Sequence, residues 1–138
     1  MTDEHLSRLE EVIVDVVAPM AGIVDREGTF PRKAVDALGA VGILGLTSPA
    51  EAGGAGAGMR SAVAVVERLS QACGSTAMVV LMHYAAVPVI AVHGPEKLRA
   101  AIAGGRHLTT LAFSEAGSRS HFWSPMSTAT PAAGPGVR

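Results

Sequence analysis

Between Leu69 and Pro95 the chain carries no Asp, Glu, Lys or Arg. An uncharged stretch of that length must either enter a bilayer or be enclosed by protein, and that choice decides most of what the chain can fold into. It holds Ser70, Gln71, Ser75, Thr76, His83, Tyr84, Pro88 and His93, more polar groups than a lipid-facing helix tolerates. The sequence therefore predicts a helix buried on all sides in a soluble, all-α bundle, with no membrane span. At 138 residues, 49% apolar and 17% charged, the chain has room for one core and the make-up of a globular domain.

A formal net charge of -1 argues against a nucleic-acid partner. The distribution is uneven: residues 97–138 hold five Lys/Arg against one acid, a local excess that suits an anionic ligand. Cys73 is alone, so no intramolecular disulfide forms. The N-terminus, MTDEHLSRLEE, is acidic where a secretory signal would be basic and then apolar. These features lead us to expect a cytoplasmic protein.

Periodicity and punctuation predict the elements. A first helix starts at Thr2 or Asp3, buries Leu6, Leu9, Ile13 and Val16/Val17, pairs Glu4 with Arg8, and stops at Pro19. A second begins at Phe30-Pro31 under a Thr29 cap, buries Ala34, Val35, Leu38 and Val41, and ends at Gly42. After Ile43–Leu46 and a glycine-rich loop, a third helix runs from Met59 to Cys73. Its stripe is Met59, Val63, Val66, Ser70 and Cys73, and Gly74 breaks it. The fourth, Thr76–His93, is capped by Ser75 and kinked or broken at Pro88. A short helix, Pro95–Ala103, stops at Gly104-Gly105. His107–Phe113 (HLTTLAF) is β-compatible and reads as a strand. The tail from Thr128 to Arg138 lacks large apolar residues except Val137 and is expected to be disordered. The resulting division is a helical domain over 1–105, a strand and loop over 106–127, and the tail over 128–138.

Several common site signatures fail. The loop Gly53–Gly58 (GGAGAG) has Met59 where a Walker A loop needs Lys, and where a dinucleotide fingerprint needs its last glycine. It reads as a connection between helices. The five histidines and one cysteine make no metal-ligand spacing, so no metal site is expected. There is no G-x-S-x-G elbow and no C-x-x-C. His83 and Tyr84, inside the uncharged helix, read as hydrogen-bonded core residues rather than catalysts.

In order along the chain, FPRKAVDALGAVGILGLTSPAEAGGAG (30–56), GPEKLRAAIAGG (94–105) and LAFSEAGSRS (111–120) resemble stretches of the acyl-CoA dehydrogenases, over roughly residues 5–125. The last looks like the family's flavin-binding stretch, commonly A-L-T-E-P-G-A-G-S-D. The resemblance implies the family's N-terminal helical domain followed by the first strand of its middle β-domain. It also implies FAD as cofactor and an acyl-CoA substrate. Leu111, Phe113, Ser114 and Ser120 are the implied flavin-binding residues, with Ser114 replacing the usual Thr and keeping its hydroxyl. Ser120 lies where the family also contacts CoA.

This chain departs from the pattern at Ala116, Arg119 and His121, where the motif has Pro, Gly and Asp, and at Ala52, where a loop aromatic is usual. The continuation His121-Phe122-Trp123-Ser124-Pro125 resembles a divergent branch and weighs against an ordinary fatty acyl-CoA substrate. Phe122 and Trp123 fit either a substrate channel or a junction to a further domain. No residue matches the family's catalytic carboxylate, and Glu115 stands where the family has no base. The implied whole-enzyme reaction is α,β-dehydrogenation of an acyl thioester. The alternatives are a flavin-dependent monooxygenase on the same scaffold and a non-catalytic helical module. The chain is expected to be a truncated product, completed by a homo-oligomer or a partner chain.

Overall fold

A computed structural model describes residues 2–112, 114, 115, 117, 121, 124–128 and 130. Helix α1, Asp3–Val12, starts in a capping box: the Thr2 hydroxyl accepts the His5 amide, and the His5 ring reaches back to the Thr2 amide. Arg8 pairs with Glu4 at 2.6 Å on its exposed side, and Leu9 is fully buried.

Pro19 does not end this helix. A π-helical turn, Ile13–Val17, leads directly into α2, Ala18–Glu27. There the Ala18 amide reaches the Ile13 carbonyl, five residues back. The wider turn resets the register, so Pro19 falls in the first turn of α2, where a missing N–H costs little. Gly28, with φ of 62°, closes α2 in the left-handed conformation.

Helix α3, Arg32–Ala40, buries Ala34, Val35 and Leu38 as expected, but Pro31 and not Thr29 occupies its N-cap, without a side-chain cap. The segment Ile43–Leu46 follows in turns and is wholly buried. Helix α4, Met59–Ala72, differs from expectation in its face. Ala62, Val65 and Leu69 are buried, while Met59 and Val63 are 56% and 64% exposed. α4 carries apolar residues on two sides, and the side with Ala62, Val65 and Leu69 is the one that is buried. Of the expected stripe, Cys73 is buried.

Helix α5, Gly74–His93, spans about 30 Å at 1.5 Å per residue. Cys73 takes its N-cap position in place of Ser75. Pro88 lies inside the helix on its exposed side and does not break it. By length and composition α5 could cross a membrane. In the fold it lies along α4 and buries Thr76, Ala77, Val80, His83, Tyr84, Ala86 and Val87. The core joins Ala77, Val80 and Tyr84 to Leu9, Val17, Leu38, Ile43, Leu44, Leu46, Val65 and Leu69.

Helix α6, Glu96–Ala103, returns the chain to α3. A Cβ on Gly39 would stand 2.5 Å from the Gly105 carbonyl oxygen, so only glycine lets these two backbones meet. Past this contact, residues 106–112 form neither helix nor strand. The expected strand is therefore absent over the described part of His107–Phe113. A strand needs a ladder partner, and none of the described segments provides one. Phe113 itself and 131–138 of the expected disordered tail lie outside the described residues.

Candidate functional site

The site is built where α5 meets the segment leaving the bundle. Phe30, at the entry to α3, Met78, Val79 and Met82 on α5, and Leu108, Thr109 and Thr110 enclose an open cleft of about 540 Å³. Its lining carries no charged side chain. The Arg32 guanidinium lies 5.0 Å over the Phe30 ring and steadies that wall.

Behind the cleft sit the polar core residues. The Tyr84 hydroxyl donates to the Ile43 carbonyl at 2.6 Å, and burial raises its pKa above the ordinary 10. His83 is fully buried, with Nε2 3.0 Å from the Leu44 carbonyl and Nδ1 accepting the Thr109 amide at 3.2 Å. Burial lowers its pKa from the ordinary 6.5; His107 lowers it further, while the Leu44 carbonyl acts in the opposite direction. Both residues are hydrogen-bonded core groups, as the sequence suggests.

Of the expected flavin residues, Leu111 is half-buried and Ser114 is exposed, one and four residues past the cleft-lining Thr110 in the chain. Phe113 and Ser120 lie outside the described residues, as do Ala116, Arg119, Phe122 and Trp123. Among the described residues, no hydrogen bond engages the amides of Thr110, Leu111, Ala112 or Ser114. Glu115 accepts the amides of Met126 and Ser127 at 2.5 and 2.7 Å. These bonds hold its carboxyl below the usual carboxylate range, and they tie 115 to 127 across the motif. Sequence reasoning missed that tether, although Glu115 is the only acid after Glu96.

The GGAGAG loop is spent on itself. The amides of Gly53, Gly54, Ala55, Gly56 and Ala57 donate to the carbonyls of Ala50, Pro49, Gly45, Ser48 and Leu46, leaving no cradle for phosphate from these five. A second apolar groove, of about 380 Å³, lies on α4 and α5 between Met59, Val63, Val66, Leu81 and Ala85.

The family model for the acyl-CoA dehydrogenase N-terminal domain matches residues 3–105. The chain belongs to the acyl-CoA dehydrogenase family. A short-chain specific acyl-CoA dehydrogenase of Clostridium acetobutylicum is 31% identical over 104 residues, covering 69% of this chain and 27% of the relative. The 3-sulfinopropanoyl-CoA desulfinase of Variovorax paradoxus is 31% identical over 118 residues, 81% of this chain and 30% of that protein. The human mitochondrial short-chain specific acyl-CoA dehydrogenase is 36% identical over 61 residues, 44% of this chain and 15% of its own length. The chain thus spans under a third of the length of these relatives. No solved structure matches it significantly.

FAD is the cofactor this family implies. The uncharged lining of the cleft suits an aromatic ring system, and Thr110, which lines it, supplies an exposed hydroxyl.

Proposed function

We propose that this chain forms one wall of a flavin and acyl-CoA pocket in an enzyme that dehydrogenates an acyl thioester between its α and β carbons. The observation that carries this reading is the apolar cleft between α5 and residues 108–110, opening beside the start of the flavin-like motif. FAD, when bound, accepts the hydride. The chain's own residues bind, orient and exclude water. Met78, Val79 and Met82 offer flexible apolar surface to the acyl chain. Leu108 and Phe30 close its sides. Ser114, exposed four residues past the cleft-lining Thr110, would donate or accept at a polar edge of the cofactor, and the amides before it would offer hydrogen bonds to negative charge there. The local excess of Lys and Arg after Glu96 favours the anionic CoA moiety. The proton-abstracting base, the remaining flavin contacts and any second subunit come from outside these residues.

Titration of the 138-residue chain with FAD, followed by flavin fluorescence and visible absorbance, tests the reading. Saturable quenching is expected, weakened several-fold by Ser114→Ala. A folded chain that leaves flavin fluorescence unchanged supports the non-catalytic module instead.

A further inference from the structure

We propose that His83 is a positioning residue: it fixes where the chain leaves the helical bundle, and so where the 111–120 motif stands relative to the cleft. The purpose of that placement rests on the flavin and acyl-CoA reading above, while the geometry does not. The imidazole is fully buried, yet both of its nitrogens are engaged by backbone groups of two different segments. Nε2 lies 3.0 Å from the Leu44 carbonyl, and Nδ1 lies 3.2 Å from the Thr109 amide.

A carbonyl can only accept and an amide can only donate. These partners therefore select the neutral tautomer with its proton on Nε2 and a lone pair on Nδ1. Ile43–Leu46 and residues 106–110 share no backbone hydrogen bond among the described residues, so the ring is the polar link between them. An apolar side chain at 83 would leave a part-buried amide and a buried carbonyl without partners, a loss larger than the bonds themselves.

The segment so held has little else to define it. Arg106 is tied by its amide to the Ala101 carbonyl at 2.9 Å, and Leu108 packs against the core. Among the described residues after Thr109, hydrogen bonding resumes at Glu115, which accepts the amides of Met126 and Ser127 further along the chain. Thr109 stands two residues before Leu111 and five before Ser114. An anchor at 109 thus sets the starting point and direction of the flavin-like stretch.

Ring-nitrogen chemical shifts and amide hydrogen exchange, recorded on the full chain without flavin, test this. Asn at position 83 places an acceptor near Nδ1 but does not reach Leu44, whereas Gln reaches Leu44 but offers Thr109 no acceptor. The wild-type ring is expected to be protonated on Nε2 alone. The Thr109 amide should exchange roughly fivefold faster in His83→Gln than in His83→Asn, with the Leu111 and Ser114 amide resonances shifting in the Gln variant. A wild-type ring protonated on Nδ1 overturns the proposal, even if a variant fails to fold. Equal Thr109 exchange in both variants, or unmoved Leu111 and Ser114, overturns it as well. None of these readouts involves FAD, so failure of the flavin reading leaves them interpretable.

Discussion

His83 shows how one residue can couple local chemistry to the stability of the domain. Burial depresses its pKa below the ordinary 6.5, and His107 on the exit segment adds to the effect. The unfolded chain therefore binds a proton at this site before the folded chain does, and stability must fall with pH between those two values. Full stability is expected above pH 6.5, with a decline as the pH drops below it and towards the folded-state pKa. Chemical denaturation across that window checks this, with His83→Asn removing the part of the slope due to His83. A stability that is flat below 6.5 in the wild type contradicts it. Tyr84, the neighbouring core group, stays neutral throughout and contributes its hydrogen bond to Ile43 at every pH in the window.

The elements separate what was legible in the sequence from what was not. The α1 start, the Glu4–Arg8 pair and the buried side of α3 follow from local rules that act within one or two turns, and Thr2, Glu4, Arg8 and Leu38 obey them. Pro19 was misleading, because the π turn places it in the first turn of α2, and Pro88 marks no break in α5. The π turn leaves no mark in the residue types. The face of α4 was misjudged because Met59, Val63 and Val66 form as plausible a stripe as Ala62, Val65 and Leu69. Only packing against α5 and the π turn decides between them. Leu69→Ala should therefore cost about 2–5 kcal/mol, while Val63→Ala should stay within about 0.5 kcal/mol, as read from urea midpoints. Comparable losses for the two would return α4 to the opposite face. The strand expected at 107–113 depends on partners that the sequence cannot supply by itself. The Gly39–Gly105 approach and the Glu115 tether are long-range and equally silent in local pattern.

At the scale of the whole molecule, the core gathers α1, the π turn, α3, α4 and α5 around Tyr84 and His83, and the exit segment lies along one side of α5. Two apolar hollows stand open among the described residues. One is the cleft at Met78 and Met82 beside the flavin-like motif, and the other is the groove at Met59 on α4. The proposed function assigns ligand to the first alone. The methionines report on each surface separately, so methyl-labelled NMR of the 138-residue chain, titrated with FAD and then with a short-chain acyl-CoA, addresses the assignment directly. Saturable shifts of the Met78 and Met82 methyls are expected, with Met59 and Met20 unmoved. Shifts confined to Met59, or none at all from a folded chain, would contradict the placement of the flavin and acyl-CoA wall on this face of α5.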